Sequence, residues 1–528
     1  MAPKLLLEAV TSAYRALARG ARARFREALS DPDRAQGLRL KRFLAANDEA
    51  AYGRAHGYTW ISSVREFQDR VPIADYDALA GWIDRIGAGE KDVLTVEPVR
   101  MLERSGGSTG KSKLVPYTEA SLAEFSEAAS AWIADLLDAH PPLRRSKQYW
   151  SLSPVARAKE RTPGGIPVGI EDDTEYFGRA ARWGMRQLMA VPSSVAHAPD
   201  MESWRRQTLL HLLGTRELGL FSVWSPTFLT ALMDALGPLL PQLLPRLPRA
   251  RARELSAAIE EHGLVGEALW PELSVVSCWC DATAAEFLPA LRAHFPTVQI
   301  QPKGLLATEG VVSIPLEEAK GPLLAVTSHF LEFIDLEKPD ARPLLASELR
   351  PGAAYSPLIT TGAGLARYHL KDVVRCAGTF ARTPVVRFEG RLDRVSDLAG
   401  EKLHERQVDR ALAAAQERSG CSTSFALLAP TSRAPAGYVL LVESAAGDPA
   451  LARLAAALEE ELSALATYRY ARDLGQLAPL RFERVERGWE LYASRLVAEG
   501  QRQGDIKPTH LDARPGLAEE LALRRARA

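Results

Sequence analysis

The stretch RSGGSTGKSKLVPYT, Arg104 to Thr118, limits the choice of fold more than any other part of the chain. Its glycines, hydroxyls and two lysines describe a loop suited to phosphate, because backbone N–H groups and small side chains can close around an anion. A Walker A loop, G-x-x-x-x-G-K-[ST], is the first candidate, and Gly110-Lys111-Ser112 ends as that motif ends. Ser105, however, stands where the motif needs its first glycine. A Walker loop must also open a helix whose N-terminus faces the phosphate. Here the strand-like KLVPYT follows, and Pro116 is unsuited to a helix interior. The loop therefore reads as a phosphate loop between two strands or as a plain Gly/Ser surface turn, and the rest of the chain decides between them.

The flanking patterns describe an α/β protein. Residues 1 to about 90 have a helical period, as in AYRALARGARARFREALS and QGLRLKRFLAANDEAAYGRA, and a β-type run, DVLTVEPVRML, leads into the loop. Beyond it, KQYWSLSPVA, LGLFSVWSP, LSVVSCWC and TVQIQPKGLLATEG read as strands. They alternate with helical stretches such as TFLTALMDALGPLL and ATAAEFLPALRAHF. This βα alternation predicts buried β-sheets flanked by helices. From about residue 320 strands dominate, and 405–528 mixes helices with SFALLAP and GYVLLVES, as a small α+β domain does.

Composition removes several classes of function. With 66 basic and 66 acidic residues the chain has no basic field, so no nucleic-acid partner is expected. The uncharged region Leu218 to Met233 contains Pro226 and polar residues and reads as core, so no membrane span is expected. Glu8 interrupts MAPKLLLEAV, which argues against a secretory signal. Four cysteines make no disulfide framework in 528 residues, which points to a reducing, cytoplasmic setting. Cys278 and Cys280 lack the second cluster of a zinc site and read as small apolar residues on a strand. Of the 66 basic residues 13 are lysines. Lys111, Lys113, Lys371, Lys402 and Lys507 lie in Gly-containing segments, where a compact ammonium suits better than a planar guanidinium.

Four further segments follow the loop in an order that suits nucleotide chemistry. GLLATEG places Thr308 and Glu309 at a strand end, a hydroxyl for an α-phosphate and a carboxylate for Mg²⁺, which takes oxygen ligands. ARYHLKDVV places Asp372 after a strand-like run, where a carboxylate can accept both ribose hydroxyls. FEGRLDRVSDLAGEKLHE supplies Arg391 and Asp393 beside a domain boundary, and GQRQGDIKP holds Lys507 in a Gly/Pro-bounded turn. Each segment alone is weak; together, and in order, they favour the phosphate loop over the surface turn.

The set resembles the Gretchen Hagen family of acyl acid amido synthetases, adenylate-forming enzymes first known as auxin-responsive plant proteins. The resemblance looks closer to bacterial members than to plant ones. It runs from NDEAAYGRAHGY and FQDRVPIADYDAL through RSGGSTGKSKLVPYT, SLSPVA, FSVWSPTFL, GLLATEG, HFLEFI, YSPLITTGAGLARYHLKDVVRCAG and GRLDRVSDLAGEKLHE to GQRQGDIKP. It implies a large N-terminal α/β adenylation domain, 1–390, and a small mobile α+β domain, 391–528, rotating about a hinge near 391–394. It implies ATP and Mg²⁺, a small carboxylic acid as substrate, an acyl-adenylate intermediate, and an amino acid as acceptor of the acyl group. By the same resemblance Ser105, Gly106, Ser108 and Thr109 hold ATP phosphates with Lys113 supporting the loop. Thr308 contacts the α-phosphate, Glu309 holds Mg²⁺, Asp372 holds the ribose and Arg391 contacts the nucleotide. Asp393 is the hinge candidate, and Lys507 enters with the small domain to offset charge in adenylation.

The chain departs from the family pattern at Lys371, where Gly is usual before the ribose-binding Asp, and at Gly107, where Thr is usual. Leu305, His369 and His404 replace Tyr, Arg and Asn. Lys371 is expected to pair with Asp372 or to contact phosphate, and the two histidines to serve structure. An acid pocket is expected from the 150–230 region, with Trp224 and Phe228, and from HFLEFI. Two other readings stay open: an adenylate-forming ligase with coenzyme A, another amine or an alcohol as acceptor, and a non-catalytic nucleotide-binding homologue.

Overall fold

The computed structural model describes residues 2–105, 113–151, 160–169, 184, 186–431, 436–499, 501, 503–514 and 516–525. The chain forms two compact units, Met1–Phe388 and Glu389–Ala528. In the first unit the N-terminal stretch is helical, with helices at Ala2–Ala28, Pro32–Asn47 and Tyr76–Gly87. Asp31 and Asp75 start the latter two by accepting from the N–H groups of Arg34 and Ala78, which satisfies donors that a helix end leaves open.

The β-type run before the phosphate loop is shorter than its composition suggests. The strand is Met101–Ser105. Upstream, the carbonyls of Asp92 and Val93 accept from the N–H groups of Ala51 and Tyr52, at the start of a short helix, and Asp92 is left-handed at φ 56°. Those backbone groups are spent on a helix terminus and cannot join a ladder. Pro116 does not break its strand. Lys113–Tyr117 pairs antiparallel with Met101–Ser105, Pro116 opposite Leu102, and lies at the edge of a four-stranded sheet, where a missing N–H costs no ladder bond.

A second sheet is wholly parallel: Lys147–Trp150, Leu218–Ser222, Val275–Cys278 and Gln299–Pro302, in that order. Tyr149, Phe221, Trp270 and Phe295 bury one of its faces. The stretch TFLTALMDALGPLL makes two helices, Pro226–Asp234 and Leu236–Arg246, bent by 52°. Pro238 lacks an N–H and collides with the carbonyl four residues back, so the helix cannot run through. Among the described residues no single helix is long and apolar enough to cross a membrane. The third sheet has seven strands and includes Phe330–Asp335, Ala354–Thr360, Asp372–Phe380 and Thr383–Arg391.

The second unit has a three-stranded sheet, Phe425–Thr431, Gly437–Glu443 and Arg481–Arg484. Ala426, Leu428 and Leu440 face a core with helices Glu405–Ser419 and Asp448–Ser463. The alternate residues Phe425, Leu427 and Leu441 face a second core with Gly488–Ala498. Burial of both faces explains why these strands are continuous apolar runs.

Candidate active site

The hairpin Met101–Ser105/Lys113–Tyr117 presents the phosphate loop, with Ser105 paired to Lys113 at its neck. Gly106, Gly107, Ser108, Thr109 and Lys111 lie outside the described residues. Lys113 extends over the ring of Tyr76, its Nζ 5.8 Å from the centroid, and the N–H of Leu114 donates to Tyr76 Oη at 3.1 Å. The hairpin continues into helix Glu119–Ala139, which Thr118 caps reciprocally with Ser121. Thr118 also donates to the carbonyl of Gly362, and Glu124 on that helix accepts from the N–H of Gly362 at 2.7 Å.

Thr308 and Glu309 form the two-residue tip of a second hairpin, Leu306–Ala307 paired with Gly310–Val311. The phenol of Tyr117 donates to the main-chain carbonyl of Thr308 at 2.5 Å, so the trailing strand of the phosphate loop is fastened to this tip. Glu309 is half-buried there. Among the described residues no group of three or more His, Cys, Asp or Glu side chains could hold a metal. A single carboxylate such as Glu309 fits Mg²⁺, which would keep waters and take its remaining ligands from a nucleotide.

Asp372 opens its strand and is 2% exposed, and its carbonyl accepts from Ser356 Oγ at 2.7 Å. Lys371 does not serve it in an ion pair. Its ammonium lies 2.7 Å from Asp75, the cap of helix Tyr76–Gly87, and holds that carboxyl below the usual carboxylate range. Lys371 has φ 61°, a left-handed conformation that favours glycine. His369 Nε2 lies 2.8 Å from Ser356 Oγ, and the N–H of His404 donates to Gln407 at 2.9 Å at the start of Glu405–Ser419.

Arg391, Asp393 and Lys507 belong to the second unit. The guanidinium of Arg391 grips Asp393 with two bonds, 2.8 and 2.9 Å. Lys507 is half-buried between buried Ile506 and Pro508.

Two of the elements expected to line the acid pocket are buried against other side chains. Phe228 is 4% exposed and lies against Trp204, with ring centroids 5.6 Å apart. Phe330 to Phe333 are buried in their strand, and Glu332 there is held by Arg367 at 3.0 Å. Trp224, by contrast, faces Lys303, which belongs to none of the motifs. Lys303 follows strand Gln299–Pro302 and is 5% exposed. Its Nζ lies 4.4 Å from the ring centroid of Trp224, 5.6 Å from Trp132 and 5.8 Å from Trp150. It donates to Ser222 Oγ at 2.9 Å, its one hydrogen bond among the described residues. Gly304 is obligatory behind it, since a Cβ would come within 2.0 Å of the Ser313 carbonyl.

Desolvating an ammonium costs several kcal/mol. A cation–π contact returns about 0.5–2 kcal/mol and one hydrogen bond about 1 kcal/mol. Burial wins, and the Lys303 ammonium is pushed down to about 7, partly offset by the nearby Cys278 and Cys280 sulfurs. A signal was in the sequence: Lys303 is one of the 13 lysines and lies in a Gly-containing segment, as Lys111, Lys113, Lys371, Lys402 and Lys507 do.

Phosphate-loop hairpin, Thr-Glu tip and parallel sheet together have the fold of acyl acid amido synthetases. A solved GH3.15 acyl acid amido synthetase matches with a TM-score of 0.80 at 18% identity, covering 95% of this chain and 94% of that one. The same enzyme in complex with 2,4-DB matches with a TM-score of 0.82 at 19% identity, covering 96% of each chain. The chain belongs to the GH3 family: residues 21–248 match its N-terminal domain, 322–391 its central domain and 406–514 its C-terminal domain. Similar proteins include a probable indole-3-acetic acid-amido synthetase of Oryza sativa subsp. japonica, 25% identical over 89% of each chain. A jasmonoyl–L-amino acid synthetase of the same plant is 24% identical over 87% of this chain and 88% of its own.

Proposed function

We propose that the chain is an ATP-dependent ligase that activates a small carboxylic acid and joins it to an amino acid. The observation that carries this reading is the Tyr117–Thr308 bond, which fastens the strand that follows the phosphate loop to the Thr308–Glu309 tip in a chain that carries all three GH3 domains. In the first half-reaction a carboxylate oxygen attacks the α-phosphorus of ATP and the bond to pyrophosphate breaks. In the second, the amine nitrogen attacks the acyl carbon, the bond to AMP breaks and the amine loses a proton, giving an amide.

Ser105, Gly106, Ser108 and Thr109 hold the phosphates, with Lys113 at the loop neck. Thr308 contacts the α-phosphate, and Glu309 holds Mg²⁺, which supplies charge neutralisation on the phosphate oxygens. Asp372 takes the ribose and Arg391 the nucleotide. Residues 391–528 rotate about Asp393 to carry Lys507 in for adenylation and out for amine attack. Arg391, bonded to Asp393, ties nucleotide contact to that hinge. The four free thiols agree with a reducing compartment, and we place the enzyme in the cytoplasm of a bacterial cell.

Acid-dependent exchange of labelled pyrophosphate into ATP, run over a panel of acids, tests the first half; mass detection of amide against coenzyme A thioester tests the acceptor. If no acid supports exchange while a control ligase does, the reading fails.

A further inference from the structure

We infer that Lys303 is the anion-recognising residue of the acid pocket, taking a carboxylate oxygen of an acid whose flat apolar body lies against tryptophan. This rests on the ligase reading above and names the group that selects its substrate.

Three observations carry it. The first is position. Trp150, Ser222 and Cys278 end three strands of the parallel sheet, Trp224 lies two residues beyond Ser222, and Lys303 follows the fourth strand. Ligands of open α/β sheets bind at these carboxyl ends. Four residues, Gly304 to Ala307, separate Lys303 from Thr308, so the chain that leaves the cage leads directly into the tip assigned to the α-phosphate.

The second is an unmet demand. Lys303 has three N–H donors and is 5% exposed, yet Ser222 is its single hydrogen-bond acceptor among the described residues, and none of the described carboxylates lies within ion-pair distance. A buried cation without its anion is the complement of an anionic ligand.

The third is the wall. Trp132 and Trp150 are held in place by bonds from their indole N–H groups to Gln301 and Gln148, and Trp224 lies tilted against Trp279, ring centroids 5.8 Å apart. Rigid indole faces around an ammonium favour a planar hydrocarbon body with a charged end over a flexible chain.

The test compares the full-length protein with Lys303→Met, a substitution close in length that removes the charge. Benzoate and benzene-1,4-dicarboxylate are the probes, read by pyrophosphate exchange and by quenching of intrinsic tryptophan fluorescence. Lys303→Met is expected to raise KM and Kd for an acid at least about 10-fold, with KM for ATP unchanged. A loss shared by both acids means that Lys303 holds the reacting carboxylate. A loss confined to the dicarboxylate means that it holds a second one. Retention of wild-type KM and Kd for both acids overturns the inference, as does an equal rise in KM for ATP. Wild-type protein that binds these acids while no acid of the panel supports pyrophosphate exchange sinks the ligase reading and leaves the binding comparison to judge Lys303. Binding of neither acid to the wild type sinks the assignment of Lys303.

Discussion

The phenolic oxygen of Tyr117 donates to the carbonyl of Thr308, 191 residues further along the chain, at 2.5 Å. This bond joins the end of the phosphate-loop hairpin to the turn proposed to meet the α-phosphate. Tyr117 itself is 5% exposed, so its ring is packed and its hydroxyl has little freedom to choose another acceptor.

Tyr117→Phe keeps the ring and removes the bond. Stability is expected to fall by about 1 kcal/mol, whereas the rate of pyrophosphate exchange falls about 10-fold through misplacement of the tip. Denaturant unfolding and exchange assays check this; a rate loss no larger than the stability loss explains would remove the positioning role.

Lys371→Gly should be close to neutral, within about 1 kcal/mol. The glycine relieves a left-handed φ of 61°, while the lost pair with Asp75 is about a third exposed and worth little. Lys371→Ala loses the pair without that relief and should be the less stable of the two. The Asp75 carboxyl is depressed, first by its bond to Lys371. Its contribution is therefore present above the unfolded value of 3.8 and disappears as pH falls below it, so in acid melts Lys371→Ala should converge with the wild type and Lys371→Gly, which keeps the backbone relief, should melt above it.

Ligand-free Lys303→Met should melt higher than the wild type at pH 7. The folded ammonium is pushed down to about 7 by burial, and the unfolded one titrates at 10.5. Between those values the unfolded chain binds the extra proton, so this group's penalty is full below about 7 and fades as pH rises. The two thiols that face it, Cys278 and Cys280, remain in both proteins, and Cys280 is held neutral by its contact with Cys278 and by burial. Melting curves from pH 6 to 10 should show the gap between variant and wild type closing; a constant gap would contradict it.

Lys507→Ala should lower acid-dependent exchange about 100-fold or more with an unchanged melting temperature, as removal of one charge-stabilising group does. Transfer to the amine from preformed acyl-adenylate should survive the substitution. If both half-reactions fall together, the withdrawal of Lys507 after adenylation is not part of the cycle.

The sequence alone determined the local chemistry. Pro116 after the loop excluded a helix there, the βα alternation called for a buried sheet, and the order of the loop, Thr308–Glu309, Asp372, Arg391 and Lys507 is what the proposal of a nucleotide site rests on, because these signals depend on spacing and backbone preference. What covers each side chain was decided only in three dimensions. Lys371 stands beside Asp372 in sequence but reaches Asp75 in space, since a left-handed backbone turns its side chain towards that helix cap. Phe228 and Trp224 are both aromatic and four residues apart; one packs on Trp204 in the core, and the other faces Lys303. Lys303 reads as one more lysine until Trp132, Trp150 and Trp224, from 79 to 171 residues away, close around it and exclude the water that would have kept it an ordinary charge.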